Sequence, residues 1–376
     1  MFNIVHFGKY YFPDSGGIES VTASLAKGAV EAGHDVTVVC FSKKEMLKRN
    51  EILDGVHVVR NGCFIDASSQ PVGFKYILNC INISQRADIV HLHTPNMLAA
   101  LCGVFLPKKV KLLVHWHSDV VGKGLLGWLL APLERILLKR ADCIVVTSPV
   151  YANSSIVLRP FSSKIKVIPI GVPDALRMDA NVDVGNDLIN KLNGKRVVLS
   201  VGRLVPYKGF DILIEAAKIF PEDVMVVIVG GGAQERELKK KIYSANLENS
   251  VLLAGRVEDQ TLSRLFQVAD LFCLPSIERS EAFGVVLLEA MSYGLPIVAT
   301  NIVGSGVPWV NLHNTSGLNV TVGDAKELAS ACMQILSDTD TSTKFSVGAR
   351  NRYLKEFTES LSVKRVLTIY EELSGS

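Results

Sequence analysis

The stretch Leu271-Phe-Cys-Leu-Pro-Ser276, followed by Glu281-Ala-Phe-Gly-Val-Val-Leu-Leu-Glu289, indicates the fold of this chain. The first run predicts a buried strand that ends in a turn, and the second predicts a loop that opens an apolar helix. Such a loop leaves backbone N–H groups free to bind an anion. The two glutamates are a little over two helical turns apart, so they serve different parts of one ligand or none. A surface loop before an amphipathic helix is the alternative.

The same alternation of strand and helix extends along the whole chain. Strand-like apolar runs from 3–7 to 165–168 alternate with helical patterns, and the alternation restarts near residue 196 after an Asn- and Asp-rich stretch. This pattern predicts an α/β protein with two Rossmann-like domains, each built on a parallel sheet. We assign 1–172 to an N-terminal domain, 173–194 to a linker and 195–356 to a C-terminal domain. Because ligands bind outside the carboxyl ends of parallel strands, we expect the site in a cleft where the two domains face each other.

Composition indicates the cellular compartment and the kinds of binding partner. The 376 residues include seven Cys without CxxC or zinc-ligand spacing, which indicates reduced thiols. The N-terminus reads as a strand and not as a signal peptide, so we expect a cytoplasmic protein. Residues 1–172 hold 19 basic and 12 acidic side chains, and much of this excess clusters at Lys108, Lys109, Lys111, Lys123, Arg135, Lys139 and Arg140. Within this cluster, the region 122–140 contains an apolar segment with Trp128. That region predicts either an interfacial helix on anionic lipid or a buried helix with a solvated basic end. Nucleic acid is not an expected partner.

Two loops of the first domain carry candidate ligand-binding residues. Gly16 and Gly17 follow the first strand and open a helix, so the backbone can approach a phosphate closely there. A glycine pair that serves only the geometry of the turn is the alternative. His117 follows the strand 111–115 and is a candidate hydrogen-bonding or acid–base group, unless its role is structural.

Two loops of the second domain carry the strongest signal. Arg203 ends a strand, and Lys208 lies where a helix begins, an unfavourable place for a cation unless an anion is bound between them. A diphosphate supplies that anion, and the two cations could neutralise a leaving nucleoside diphosphate without a metal. In the other loop the amides of Phe283, Gly284 and Val285 meet the same phosphates, while Glu289 accepts hydrogen bonds from a ribose. We expect no metal ion and no other cofactor.

Together these residues resemble the retaining glycosyltransferases of family 4, which have the GT-B fold. The resemblance covers nearly the whole chain and rests on Gly16-Gly17-Ile18-Glu19, Asp88-Ile-Val-His91-Leu-His93, His117, Val167-Ile-Pro-Ile-Gly171-Val172, Gly202-Arg203, Lys208-Gly209, Gly255-Arg256-Val257 and Glu281 to Pro296. It implies a nucleotide-diphosphate sugar held mainly by the C-terminal domain and an acceptor held by the N-terminal domain. It also implies a C-terminal helix, at about 357–376, that crosses back to the first domain.

The resemblance also implies roles for individual residues. Arg203 and Lys208 would bind the diphosphate, and Glu289 the ribose. The Gly16-Gly17 loop would border the phosphates, and the base would lie against Gly255-Arg256-Val257. Glu281 would contact the hydroxyls of the donor sugar, and His117 the sugar or the reacting centre. We therefore take His117, Glu281, Arg203 and Lys208 as the catalytic set of a front-face displacement that retains the anomeric configuration.

One loop departs from the family pattern. Val303-Gly-Ser-Gly-Val-Pro-Trp309 replaces a shorter Gly-Gly-hydrophobic-Glu run, so an acidic contact is missing there. With Phe7-Gly-Lys-Tyr-Tyr-Phe-Pro-Asp14, this form looks like bacterial O-antigen and capsule transferases, some of which use GDP-mannose or GDP-rhamnose. The expected donor is GDP-mannose-like. The expected acceptor is a glycan or polyprenyl-diphosphate glycan, which would bring the protein to the cytoplasmic face of the inner membrane.

Three alternatives stay open at this point. The donor could be a UDP-hexose or UDP-N-acetylhexosamine. A sugar-nucleotide epimerase shares the two-domain architecture, because fold alone does not determine function. A non-catalytic sugar-nucleotide-binding subunit is the third, although the intact cations and both glutamates count against it.

Overall fold

The computed structural model describes residues 1–14, 16–42, 50–63, 65–67, 70–119, 124–175 and 187–375. The chain forms two compact units, one of Met1–Gly171 with Glu359–Ser376 and one of Val172–Thr358. Most of the predicted linker, at 176–186, lies outside the described residues, as do 122 and 123 of the basic region.

The first unit is built on a sheet of eight strands within the described residues. Its strands are β1 (Asn3–Phe7), β2 (Asp35–Ser42), β3 (Asn50–Leu53), β4 (Val56–Gly62), β7 (Ile89–Thr94), β8 (Lys111–Trp116), β9 (Cys143–Val146) and β10 (Ile165–Val167), with a separate hairpin of β5 (Ile65–Ala67) and β6 (Gln70–Val72). The order across the sheet is β10-β9-β8-β7-β1-β2-β4-β3, and only β3 runs antiparallel to its neighbour. The central strands are buried and mostly apolar, as is typical of a parallel sheet covered on both faces, although β1, β7 and β8 also carry buried histidines.

Helices cover this sheet, and the last helix of the chain is one of them. They are α1 (Gly17–Glu31), α2 (Phe74–Ser84), α3 (Met97–Val104), α4 (Gly124–Arg140), α5 (Pro149–Ser154) and α14 (Glu359–Ser374). α14 packs closely on α1, because a Cβ added at Gly28 would lie 2.4 Å from a Val363 methyl carbon. No helix in the described part of the chain is both long and apolar enough to cross a membrane.

The second unit repeats the plan with a purely parallel sheet. Its strands are β11 (Arg196–Val201), β12 (Val224–Val229), β13 (Val251–Gly255), β14 (Leu271–Leu274), β15 (Ile297–Thr300) and β16 (Gly317–Val320), in the order β13-β12-β11-β14-β15-β16. Its helices are α6 (Asp187–Asn190), α7 (Phe210–Ala217), α8 (Glu235–Ser244), α9 (Asp259–Val268), α10 (Val285–Ser292), α11 (Val307–Val310), α12 (Ala325–Ser337) and α13 (Thr339–Glu356). The prediction of an α/β protein with two parallel sheets is confirmed.

Seven of these elements were not predicted, namely β3, β5, β6, α2, α6, α11 and β16. The edge strand β3 is joined to β4 by Asp54-Gly55, both at positive φ (50° and 79°), which is the hairpin turn that an Asp-Gly pair favours. Helix α2 lacks a clear polar face, since Phe74 and Leu78 are exposed, so its period was not recognised. Strand β16 has four residues and is too short for an alternation to show.

Candidate functional site

In the second unit, glycines bring three strand ends into contact. Gly202 follows β11 and Gly230 follows β12, and a Cβ added at Gly230 would lie 1.8 Å from the carbonyl oxygen of Gly202. Gly230 also has a φ of 143°, and its N–H donates to the carbonyl of Gly255 at 2.8 Å. The loops at the carboxyl ends of β11, β12 and β13 therefore form one continuous surface of exposed backbone.

Lys208 lies against this surface and is nearly buried. It ends a short 3-10 turn, Pro206–Lys208, and its Nζ lies 2.5 Å from Oε2 of Glu281. The turn is held against the end of β14 by Gly209, whose φ is 66° and whose added Cβ would lie 2.1 Å from the carbonyl oxygen of Pro275. The Lys208 ammonium thus pairs with a carboxylate in this structure, and its role toward a diphosphate stays a prediction.

Two serines hold Glu281 in place. The Ser276 hydroxyl donates to Oε2 of Glu281 at 2.9 Å, and the Ser305 hydroxyl donates to the backbone carbonyl of Glu281. Both serines are fully buried. Sequence reasoning missed them as site residues, although Ser276 directly follows a strand that ends at the site. The Glu281 carboxylate is consequently held at one oxygen, Oε2, by an ammonium and by a hydroxyl.

The loop that departs from the family pattern braces this segment. Besides the Ser305 contact, the Gly306 N–H donates to the Ala282 carbonyl at 2.7 Å, and Nε of Arg279 donates to the Gly304 carbonyl at 3.0 Å. Trp309 packs near Phe283, with ring centroids 6.3 Å apart. The loop therefore supports the backbone around Glu281 through main-chain contacts.

The other two candidate cations of this unit, Arg203 and Arg256, are exposed. Nη2 of Arg203 donates to the Tyr207 hydroxyl at 3.1 Å, so the guanidinium lies along the turn that carries Lys208. Arg256 follows Gly255 and passes over Gly231, where an added Cβ would lie 2.9 Å from its Nε. Val257 follows Arg256 directly. The structure gathers these residues at the carboxyl edge of the sheet, and their roles toward a ligand stay predictions.

Glu289 lies in α10, which begins after Gly284 at a φ of 78°. Burial raises the pKa of the Glu289 carboxyl to about 7, although the nearby Lys208 ammonium opposes this rise. The carboxyl therefore exchanges its proton close to neutral pH. As a carboxylate it can accept two hydrogen bonds, which suits the vicinal hydroxyls of a ribose.

We expect Glu289→Gln to stabilise the protein at high pH. The folded-state pKa lies above the ordinary value of 4.5, so the free energy of unfolding of the wild type falls as the pH rises from about 4.5 to about 7. The variant lacks this loss, so its free energy of unfolding relative to the wild type should rise by about 2 kcal/mol between pH 5 and pH 8. This rise is smaller than the whole pKa shift would give, because the side chain is partly exposed. Thermal unfolding midpoints measure it. Glu237→Gln, on the exposed side of α8, is the control, and a pH-independent difference would contradict the expectation.

In the first unit, Gly16 and Gly17 stand at the start of α1. Gly16 is the residue before the helix, and the Ser20 N–H donates to its carbonyl at 2.9 Å. The preceding loop is held by Arg60, which is 3% exposed and donates to the carbonyls of Tyr11 and Phe12. The first turn of α1 is thus anchored to the sheet, with its N–H groups at the carboxyl end of β1.

His117 lies directly after β8 and is buried with other histidines. Its Nε2 lies 3.1 Å from Nδ1 of His93. Burial lowers the pKa of His117 to about 3, so the imidazole is neutral at physiological pH. A neutral ring offers one N–H and one lone pair, and so it cannot act as a cationic acid.

Comparison with known proteins places these features in context. A Glycosyltransferase Family 4 model matches residues 15–176, and a model described as glycosyl transferases group 1 matches residues 188–352. The chain is 30% identical to the O-antigen chain mannosyltransferase C of Escherichia coli, covering 99% of each chain. It is 31% identical to the D-rhamnosyltransferase WbpZ of Pseudomonas aeruginosa, covering 94% of this chain and 92% of WbpZ.

Solved structures show the same fold at low identity. A sucrose-phosphate synthase from Thermosynechococcus elongatus superposes with a TM-score of 0.79 at 21% identity, covering 99% of each chain. Anabaena HepE, solved in complex with UDP and glucose, superposes with a TM-score of 0.78 at 20% identity, covering 99% of this chain and all of HepE.

Proposed function

Because this chain belongs to the family 4 glycosyltransferases and has the GT-B fold, we propose that it transfers a hexose from a nucleotide-diphosphate sugar to a hydroxyl of a glycan acceptor. The transfer would serve the synthesis of a bacterial surface polysaccharide. Two of its relatives are the O-antigen chain mannosyltransferase of Escherichia coli and the D-rhamnosyltransferase of Pseudomonas aeruginosa, which supports this setting.

The observation that carries the proposal is the buried pair of Lys208 and Glu281. An ammonium has three N–H donors, and Glu281 occupies one of them at 2.5 Å. The others remain for oxygens of a diphosphate, while the second oxygen of Glu281 can accept from a sugar hydroxyl. One ion pair can thus contact both halves of a nucleotide sugar, the leaving group and the transferred hexose. A non-catalytic binding subunit would not need this arrangement.

The proposed chemistry is a displacement on one face of the sugar. The bond from the anomeric carbon to the diphosphate oxygen breaks, and a bond to the acceptor oxygen forms. The acceptor hydroxyl gives its proton to the leaving phosphate oxygen, and the configuration is retained. Lys208 and Arg203 stabilise the charge that develops on the diphosphate, so the reaction needs no metal ion in this proposal.

We propose GDP-mannose or a close relative as the donor. The mannosyl- and rhamnosyltransferase relatives at 30% and 31% identity support this choice. HepE, which was solved with UDP and glucose, shares only the fold at 20% identity. UDP-hexoses are therefore the second choice.

Thermal shifts with GDP and UDP at matched concentrations test the proposed donor. We expect GDP to raise the unfolding temperature more, since a ligand at a hundred times its dissociation constant stabilises by about 2.7 kcal/mol. All samples contain EDTA, and a parallel set contains Mg²⁺. A larger UDP shift would discard the GDP-sugar, a shift that requires Mg²⁺ would contradict metal independence, and no shift with either nucleotide would reopen the non-catalytic function.

We also propose that the first unit approaches the cytoplasmic face of the inner membrane to reach a lipid-linked acceptor. Exposed cations support this proposal, among them Lys108, Lys109, Arg135 and Lys139. Attraction to anionic lipid adds about 1 kcal/mol for each such cation near the surface. The predicted anchor Trp128 lies in α4, whose first residues have no described side chains.

A further inference from the structure

Five histidines lie together on one face of the first unit's sheet, where β1, β7 and β8 end. Residues two apart on a strand point to the same face, so the pairs on β7 and β8 stand side by side. The five are His6, His91, His93, His115 and His117. Four of them are at most 1% exposed, and His117 is 6% exposed. We call these five residues the histidine array.

Within the array, hydrogen bonds join rings edge to edge. Nδ1 of His6 lies 3.1 Å from Nε2 of His93, and Nδ1 of His93 lies 3.1 Å from Nε2 of His117. In both pairs the ring centroids are 5.4 Å apart and the planes nearly parallel, at 18° and 14°. The distance between the ring centroids exceeds the distance between the facing nitrogens by about the width of one ring. The nitrogens therefore face each other in the plane of the rings. Nε2 of His91 and Nδ1 of His115 form a third such pair at 3.3 Å.

The array thus has two rows, one of His6, His93 and His117 and the other of His91 and His115. Tyr370 of α14 joins the two rows. Its hydroxyl lies 2.7 Å from Nδ1 of His91 and 3.4 Å from Nε2 of His6. Tyr370 is fully buried. The result is one hydrogen-bonded chain, which runs in the order His115, His91, Tyr370, His6, His93, His117.

Burial makes the members of this chain neutral, because it lowers the pKa of His6 and His117 to about 3 and that of the other three well below the ordinary value. A neutral imidazole has one N–H and one lone pair, so each ring that accepts on one side must donate on the other. The imidazole protons can therefore be placed along the whole hydrogen-bonded chain in only two ways. Either every histidine carries its proton on Nδ1 and the bonds point toward His117, or every histidine carries it on Nε2 and they point toward His115.

The His115 end of the hydrogen-bonded chain decides between these two arrangements. Nε2 of His115 is buried without a hydrogen-bond partner among the described residues, and so is the hydroxyl of Thr147, just after the neighbouring β9. A proton on Nε2 would create a second buried donor with no acceptor. Buried N–H groups without partners are rarer than buried acceptors without partners. The bare Nε2 is therefore favoured, and with it the Nδ1 proton throughout the chain.

We propose that the histidine array and Tyr370 hold His117 as the Nδ1–H tautomer, so that it meets the substrate as a hydrogen-bond donor and not as a base. The inference rests on the proposed function for the identity of the substrate. Nδ1 of His117 ends the hydrogen-bonded chain at its least buried member, and its N–H donates to an oxygen of the bound nucleotide sugar. The other four histidines and Tyr370 are positioning residues that act through His117.

Metal binding is the competing use of the array. His6, His91 and His93 form one group whose ligand atoms lie within 4.8 Å of one another, and His93, His115 and His117 form another. The in-plane N···N contacts at 3.1 Å place a proton between facing nitrogens, and a metal would need those lone pairs turned to a common point. Stoichiometric zinc or copper in the purified protein would overturn the proposal.

Tautomers can be read directly by long-range ¹H–¹⁵N NMR of the full-length protein labelled at histidine. We expect the five array signals to show the Nδ1–H pattern, with the His117 signal identified by its absence in His117→Asn. An Nε2–H pattern at His117, or a mixture, would overturn the assignment. This readout does not depend on activity, so it stands apart from the proposed function.

Tyr370→Phe tests the link between the two rows. Without the hydroxyl, either tautomer leaves one unpartnered donor in the pair of His91 and His115, so we expect a mixture there. The row ending at His117 can still finish in a bare nitrogen and should keep its Nδ1 protons. Tyr76→Phe, which removes a buried hydroxyl bonded to the Gly8 carbonyl at 2.9 Å, is the control and should leave all five tautomers unchanged. Unchanged tautomers in Tyr370→Phe would contradict the chain.

Two substitutions at His117 test the role of its N–H. An Asn amide N–H lies near the position of Nδ1, and a Gln amide N–H near that of Nε2. We expect Asn to retain about tenfold more kcat/KM than Gln, the value of about one hydrogen bond to the substrate. Equal activities, or a higher activity of Gln, would show that His117 does not donate from Nδ1. Absence of transfer in the wild type would instead reject the proposed function and leave the tautomer result unaffected.

Discussion

Lys208→Ala should lower kcat for glycosyl transfer by about 10³-fold, the upper end of what removing one preorganised donor to a developing charge costs. The leaving diphosphate gains negative charge as the glycosidic bond breaks, and the Lys208 ammonium is the nearly buried cation at this edge of the sheet. Removing Arg203 should cost less, because its guanidinium is exposed and screened by water.

Stability must be separated from catalysis in this experiment. Lys208→Ala leaves the Glu281 carboxylate buried without its cation, at a cost of about 3 kcal/mol in the free energy of unfolding. The double variant Lys208→Met with Glu281→Gln removes both charges and should recover most of that stability, while kcat stays at least as low as in Lys208→Ala. Lys218→Ala removes a surface ion pair with Glu215 and is the matched control. Wild-type turnover in a folded Lys208→Ala protein would contradict the proposed role.

The Lys208–Glu281 pair shows what the sequence could and could not predict. Both residues were recognised, because each lies in a loop between a buried strand and a helix, where a charged side chain is unusual. Their contact was not, because it depends on β11 and β14 being neighbours, with the two strands that follow β11 placed on its other side. Strand order is set by how the helices pack on the sheet, and one sequence does not display it. The sequence therefore did not predict the carboxylate beside Lys208, whereas the diphosphate expected there stays a prediction.

The histidines give the opposite lesson. His91 and His93, and likewise His115 and His117, alternate along strands, a pattern that places each pair on one face. The sequence alone carries this signal, but we predicted a site role only for His117. What the sequence could not show is the hydroxyl of Tyr370, more than 250 residues away along the chain from the histidines of β7. Only the packing of α14 on the first unit brings it there.

Glu281→Gln should separate transfer from nucleotide binding. The amide keeps the size of the side chain and can still accept from the Ser276 hydroxyl, so the fold should persist. Its neutral head no longer accepts as strongly from a sugar hydroxyl, and we expect kcat to fall by about 10²-fold.

In Glu281→Gln, the affinity for the nucleoside diphosphate should stay similar or increase. The Glu281 carboxylate, whose Oε2 lies 2.5 Å from Nζ of Lys208, repels a diphosphate bound to the same ammonium, and a neutral amide does not. The dissociation constant for GDP should therefore stay within about threefold of the wild type or decrease, since Lys208 keeps N–H donors for the diphosphate in both proteins. Calorimetric titration of GDP beside a transfer assay measures both, with the exposed Glu278→Gln as the control. A parallel loss of binding and turnover would show that Glu281 only helps to hold the nucleotide, whereas tighter binding with slower transfer requires that its charge act on the sugar during the displacement.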